Sequence, residues 1–206
     1  MNPFATHFES LEEFADRVSE LLQCPITIED ANHRLIAYSG HEHYTDPART
    51  ATIIHRRVPE RVIHSLWREG VIPKLLQSEE PVRVTEISEV GLGNRIAISI
   101  WKNKEVLGFI WAIEMNEPWT EQQFHLLKQA AKAAKICCHN YKFANIKRRA
   151  HSRVFWKLLT GHVSSPHDIV EQCHQLNVHV YPFFLLAFFN FNNRFKRKWS
   201  GKLIIY

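Results

Sequence analysis

Apolar and polar positions change rhythm several times along this chain, and each change marks an element. Leu11, Phe14, Val18, Leu21 and Leu22 recur at helical spacing. They follow Ser10-Leu11-Glu12-Glu13, a capping box in which hydroxyl and carboxylate stand three residues apart. This helix is predicted to stop at Cys24-Pro25, because the residue before a proline is pushed out of the helical region. Ile26-Thr27-Ile28-Glu29 and Arg34-Leu35-Ile36-Ala37-Tyr38 then read as two strands around the polar turn Asp30-Ala31-Asn32-His33. Residues 50 to 77 predict two or three short helices, punctuated by Pro59 and by Gly70 to Pro73. Strand patterning returns at Val82-Arg83-Val84, at Arg95 to Trp101 and at Val106 to Ile113. Lys102-Asn103-Lys104-Glu105 makes a hairpin turn between the last two.

Trp119-Thr120-Glu121-Gln122-Gln123-Phe124 opens the longest element. Thr120 can cap the amide of Gln123, and Gln123 can reach back to the amide of Thr120. Trp119 and Phe124 occupy the two positions of a hydrophobic staple. No proline or glycine interrupts the chain before Gly161, which suits a left-handed C-terminal cap. Forty-one helical residues would span roughly 60 Å, more than one small domain needs. Such a helix leads out of one unit and into another. Beyond it, Ser164-Ser165-Pro166-His167-Asp168 can begin a further helix, and Tyr181 to Phe189 reads as a buried strand.

The predicted order is helix, two strands, helical insertion, three strands and long helix. It describes an α+β fold: an antiparallel sheet of about five strands with helices packed on one face. The insertion would close over a sheet face and could wall a small-molecule pocket. Three segments follow: residues 1–118 as a sensory domain, 119–161 as a connecting and dimerisation helix, and 162–206 as the start of an incomplete second α/β domain. One helix and one strand cannot bury their own apolar faces in so short a piece.

Composition narrows the function. At 45% hydrophobic and 23% charged the chain is ordinary globular material. Its charge is uneven: residues 1–140 hold 15 Lys/Arg against 19 Asp/Glu, and residues 141–206 hold 11 against 2. The front therefore has no footprint for a polyanion. The four cysteines, Cys24, Cys137, Cys138 and Cys173, form no CxxC. Adjacent helical cysteines diverge by about 100°, so Cys137 and Cys138 are a poor disulfide pair. With no secretory signal and no apolar run near the ~20 residues of a membrane span, a cytoplasmic protein off the membrane is expected.

Catalytic patterns fail one by one. Cys138-His139-Asn140 names the residue types of a cysteine-protease triad, but consecutive helical residues cannot converge on one substrate. Gly91-Leu92-Gly93 enters a strand instead of a helix and is read as a turn, not a nucleotide loop. His41-Glu42-His43 with Asp46 lacks the further ligands of a metal site and reads as a solvated loop. No enzyme activity, cofactor or metal is expected. The basic residues Lys147-Arg148-Arg149, His151 and Arg153 read as the wet face of a helix. Arg194 to Trp199 reads as a basic, aromatic tail.

Three stretches carry a resemblance. Pro25 to Gly40, with its phrase Arg34-Leu35-Ile36-Ala37-Tyr38-Ser39-Gly40, resembles the opening sheet of a GAF- or PAS-like sensor. Val106-Leu107-Gly108-Phe109-Ile110-Trp111, followed by Trp119-Thr120-Glu121, is similar to the closing strands of the same sensor. Arg148 to Gly161, ending Phe155-Trp156-Lys157-Leu158-Leu159-Thr160-Gly161, resembles the junction into the GGDEF-like domain of PucR/CdaR-type bacterial transcriptional regulators. The resemblance implies a metabolite-responsive regulator of a catabolic operon, whose helix-turn-helix DNA-binding domain is missing from this chain. The strand at Phe183 to Phe189 fits the first GGDEF-like strand. Asn190 onward departs from it, which reads as a truncation or frameshift.

A sensor of this kind needs a ligand site and a partner surface. Tyr38, His55, Arg56, Trp67, Arg95 and Trp111 are the candidate ligand-binding residues. Arg95 or Arg56 would hold a carboxylate bidentately, and Trp67 or Trp111 would supply an apolar wall. Phe124, Leu127, Ala131, Ala134, Cys138 and Tyr141 follow a 3-4 spacing, as a two-helix seam would, and predict a homodimer. DNA would be reached only through the absent domain. The rival reading is a stand-alone interaction module that forms mixed dimers with a full-length regulator.

Overall fold

The computed structural model describes residues 3–4, 8–40, 45–115 and 118–160, with the single positions 162 and 171. The chain divides into two compact units, Met1–Arg148 and Arg149–Tyr206. The elements are α1 (Leu11–Leu22), β1 (Ile26–Asp30), β2 (Leu35–Tyr38), α2 (Pro47–His55), α3 (Glu60–Arg68), α4 (Val71–Leu75), β3 (Val82–Val84), β4 (Arg95–Lys102), β5 (Glu105–Ile113) and α5 (Glu121–Leu159). The expected cap at Gly161, the helix from Ser165, the strand at Tyr181 to Phe189 and the tail from Arg194 lie outside the described residues, as does His41-Glu42-His43.

Local chemistry sets the helix ends. Ser10 Oγ accepts from the Glu13 amide at 3.0 Å. The return arm differs from the expected box: Glu13 Oε2 accepts from the Glu9 amide at 2.7 Å, one residue outside the cap. The box of α5 closes as expected, with Thr120 N to Gln123 Oε1 at 2.9 Å and Gln123 N to Thr120 Oγ1 at 3.3 Å. The Trp119 and Phe124 rings meet edge-on at 5.6 Å. α2 begins before residue 50, because Asp46 caps it through the Arg49 amide at 2.7 Å and Pro47 takes the first turn. Gly70, at φ 72°, breaks α3 from α4. Pro73 is no break; it sits in the first turn of α4, where a missing amide costs nothing.

The five strands form one sheet in the order β2-β1-β5-β4-β3. All four neighbouring pairs are antiparallel. The β4–β5 hairpin turns on Asn103 and Lys104, both left-handed at φ 50° and 64°, as a two-residue type I′ loop demands. The central β1–β5 pairing joins the front and rear of the chain, and Gly108 permits it. A Cβ there would stand 2.0 Å from the Glu29 carbonyl oxygen.

Helices cover both faces of the sheet, not the single face expected. α1 and α5 pack on one face around Ile26, Ile28, Ile96, Ile98, Ile100 and Ile110. The α2–α4 insertion covers the other, around Ala97, Phe109 and Trp111. The reason lies in the pleat. Residues of β5 are apolar on both sides, Ile110 on one and Phe109 and Trp111 on the other, so a single helical layer would leave Phe109 and Trp111 in water.

A candidate effector cavity beneath the helical insertion

The same alternation that drives isoleucines into one core sends polar groups toward the insertion. In β1, Ile26 and Ile28 enter the apolar core, while Thr27 and Glu29 line a small cavity on the opposite face. Arg95 of β4 and Trp111 of β5 line it from the sheet as well. Arg49 and Thr52 of α2 face them, with Val58 from the loop and Val62 and Leu66 of α3 as the apolar wall. The cavity measures about 10 Å³, room for about one water.

Charge is concentrated here and deeply buried. Arg95 Nη2 donates to Asp46 Oδ2, both side chains 7% exposed. Asp46 Oδ2 also accepts from the Gly93 amide at 3.0 Å, while its Oδ1 caps α2. One carboxylate thus ties α2 to the turn ahead of β4. Arg49, 5% exposed, donates through Nη2 to the Ser39 carbonyl at 2.8 Å. Its Nε is buried and meets no acceptor. Burial holds this guanidinium below its ordinary value; Asp46 pulls the other way and Arg95 adds to the lowering. Trp111 Nε1 is a second buried donor without an acceptor. Glu29, 4% exposed, faces His33 Nδ1 at 3.3 Å, and the His33 ring stacks on Phe109 at 5.3 Å.

Of the residues singled out in the sequence, Arg95 and Trp111 line this cavity. Tyr38 ends β2 half-buried, outside the lining. His55 and Arg56 close α2 and are exposed, and Trp67 stands 48% exposed on α3. The structure does not bring these four into the cavity. It adds Thr27, Glu29, Arg49 and Thr52 to the lining, with Asp46 paired to Arg95 beside it. Thr27 and Glu29 had a signal: they are the polar alternates of a strand whose other positions are Ile26 and Ile28. Arg49 had none.

The stripe on α5 is committed elsewhere. Leu127, Ala131, Ala134 and Cys138 are buried in the core that α5 shares with α1 and the sheet, with Phe124 and Tyr141 packed against it. A 3-4 spacing fits a sheet face as well as a second helix, and here it meets the sheet. Cys138 has the surroundings of a packing residue: it is 2% exposed, and burial, with a smaller contribution from Cys137, pushes its thiol up to about 12. Gly91-Leu92-Gly93 is the turn expected, with Gly91 at φ 65° and its carbonyl accepting from Ala48 N at 3.1 Å. Among the described residues, no group of three or more His, Cys, Asp or Glu could hold a metal ion. Among them also, no helix is long and apolar enough to cross a membrane.

No protein-family model matches the chain. It is 51% identical over 178 residues to the DNA-binding transcriptional activator AdeR of Bacillus subtilis, covering 86% of this chain and 42% of that protein. It is 25% identical over 172 residues to the proline-responsive transcriptional activator PutR of the same organism, covering 82% and 42%. Similar solved structures include the GAF domain of the cyanobacteriochrome TePixJ, at 16% identity and TM-score 0.46 over 69% of this chain and 96% of that one. The cofactor-binding GAF domain of the nutrient sensor CodY from Clostridium difficile gives 10% identity and TM-score 0.42 over 63% and 84%. The chain is thus similar to transcriptional activators, and it spans 42% of the length of each curated relative it matches.

Proposed function

We propose that this chain is the GAF-like sensory part of a PucR-type, metabolite-responsive transcriptional activator that controls a catabolic operon. The observation that carries the reading is 51% identity to a transcriptional activator over 178 residues, 86% of this chain, and the five-stranded unit holds a small cavity under its helical insertion. A relative described as proline-responsive supports an effector of nutrient size. DNA contact is assigned to a helix-turn-helix domain of the regulator, and sensing to this part.

The mechanism is a population shift between two arrangements of the insertion. A cavity with room for one water cannot hold a metabolite, so binding favours an arrangement in which α2 and α3 stand away from the sheet. The exit of the insertion is tied to β4 and to α5. Ser99 Oγ donates to the Leu75 carbonyl, and Trp101 Nε1 to the Ser78 carbonyl at 3.3 Å. Lys128 pairs with Glu80 at 2.5 Å, and Lys135 with Glu79 at 3.9 Å. Surface pairs of this kind contribute about 0–1 kcal/mol each, weak enough to exchange when the insertion moves. The long helix would carry the change onward as a dimer.

Thermal unfolding of the full chain against a panel of amino acids, purines and other nutrients tests the reading. At least one compound should raise Tm in a concentration-dependent way. A flat response across the panel, with no change in helical signal, removes the sensor reading. Ile136, 69% exposed on α5, favours a second reading, the interaction module that forms mixed dimers with a full-length regulator. Co-purification with such a regulator, without any metabolite affinity, would select it.

A further inference from the structure

We infer that a dianionic phosphoryl group, free or on a small phosphomonoester, binds in a cleft between α5, β4 and the loop that joins α4 to β3. This site is separate from the insertion cavity, and it stands whether or not that cavity opens for a metabolite. The cleft measures about 150 Å³, against about 10 Å³ under the insertion, enough for several waters or one small anion. Lys128, Lys132 and Lys135 line it from one face of α5. Glu79 and Glu80 line it from the loop, and Ser99 from β4.

Charge selects the ligand. The lining holds three ammonium groups against two carboxylates. Lys128 pairs with Glu80 and Lys135 with Glu79, while Lys132 is exposed and pairs with no carboxylate among the described residues. The cations are the better-held partners: Lys128 and Lys135 side chains are 39% and 32% exposed, Glu80 and Glu79 68% and 62%. Pairs this exposed are weakly held. One dianion replaces both carboxylates charge for charge, and its three free oxygens reach Lys132 as well, which the two oxygens of a carboxylate do not. The edge of β4 adds a neutral donor. β3 ends at Val82, opposite Ala97, while β4 continues to Lys102. The Asn94 carbonyl accepts from the Glu114 amide just past β5. Even-numbered residues of β4 therefore bond across to β5, and Ser99 turns its N–H to the opposite edge, past the end of β3.

Isothermal titration of the full chain at about pH 8 and low salt tests this with inorganic phosphate, glycerol phosphate and acetate. Phosphate or glycerol phosphate should bind saturably and at least about ten-fold more tightly than acetate, and the tighter of the two names the source of the group. Lys132→Gln should weaken that binding about five- to ten-fold. Glu79→Gln removes a competing carboxylate and should tighten it. Lys142→Gln takes the same charge from α5 where it pairs with Glu105, outside the cleft, and should leave the affinity unchanged. None of the three side chains is buried, so the variants fold. The assignment is overturned if neither phosphate compound binds saturably, if acetate binds as well, or if Glu79→Gln brings no gain. It is overturned too if Lys142→Gln costs as much as Lys132→Gln, which would put the anion on the basic rear of the chain. None of these outcomes bears on the nutrient panel, whose failure removes the sensor reading alone.

Discussion

The two faces of this sheet are made by alternate residues of the same strands, yet they carry different chemistry. One face is a run of isoleucines, Ile26, Ile28, Ile96, Ile98, Ile100 and Ile110, each at most 1% exposed. The other holds Thr27, Glu29, Arg95 and Trp111 beneath the insertion. Fully burying an isoleucine stabilises by about 1.5–3 kcal/mol, so the first face holds the unit together. On the second face a buried ion pair gives little net stability, and two donors lack acceptors. A face built only for stability would not keep them. The contrast separates a face that holds the fold from the one on which the proposed sensor reading rests.

The contrast can be broken most severely at Asp46. Asp46→Ala leaves Arg95 and the Gly93 amide without their carboxylate and removes the cap of α2; urea unfolding should show a loss of about 3–5 kcal/mol. A smaller effect is expected on the apolar face. Ile98→Val should cost about 0.5–1.5 kcal/mol with effector affinity unchanged, because the side chain points away from the cavity. Smaller again is the tie to α5. Lys128→Ala should cost less than about 1 kcal/mol, and that difference should vanish at high salt.

The smallest effect at neutral pH belongs to the buried thiols. Burial pushes Cys24 and Cys138 up to about 12 from 9.0. The folded chain therefore keeps protons that the unfolded chain releases between those values. Stability should be untouched at neutral pH and fall as pH rises through that window, with the slope reduced in Cys24→Ala.

Much of the fold is legible in the sequence because its signals are local. The Thr120–Gln123 box, the Asn103-Lys104 hairpin and the break at Gly70 each depend on residues within a few positions. The cavity is not local. Asp46 and Arg95 meet across 49 positions, and no spacing rule predicts that encounter. Arg49 is buried only because α2 lies on the sheet. The stripe from Leu127 to Cys138 satisfies a helical partner and a sheet equally, so its periodicity cannot name the partner. The alternation Ile26-Thr27-Ile28-Glu29 reads as a strand, and only the folded sheet shows that its polar alternates lead to the cavity.

The most direct measurement is hydrogen–deuterium exchange of the full chain, alone and with a saturating compound from the nutrient panel. The account predicts a change in exchange at residues 47–68 of the insertion and a further change in α5, with α1 unaltered. Exchange that responds in α1 or outside the insertion while residues 47–68 stay constant would contradict it.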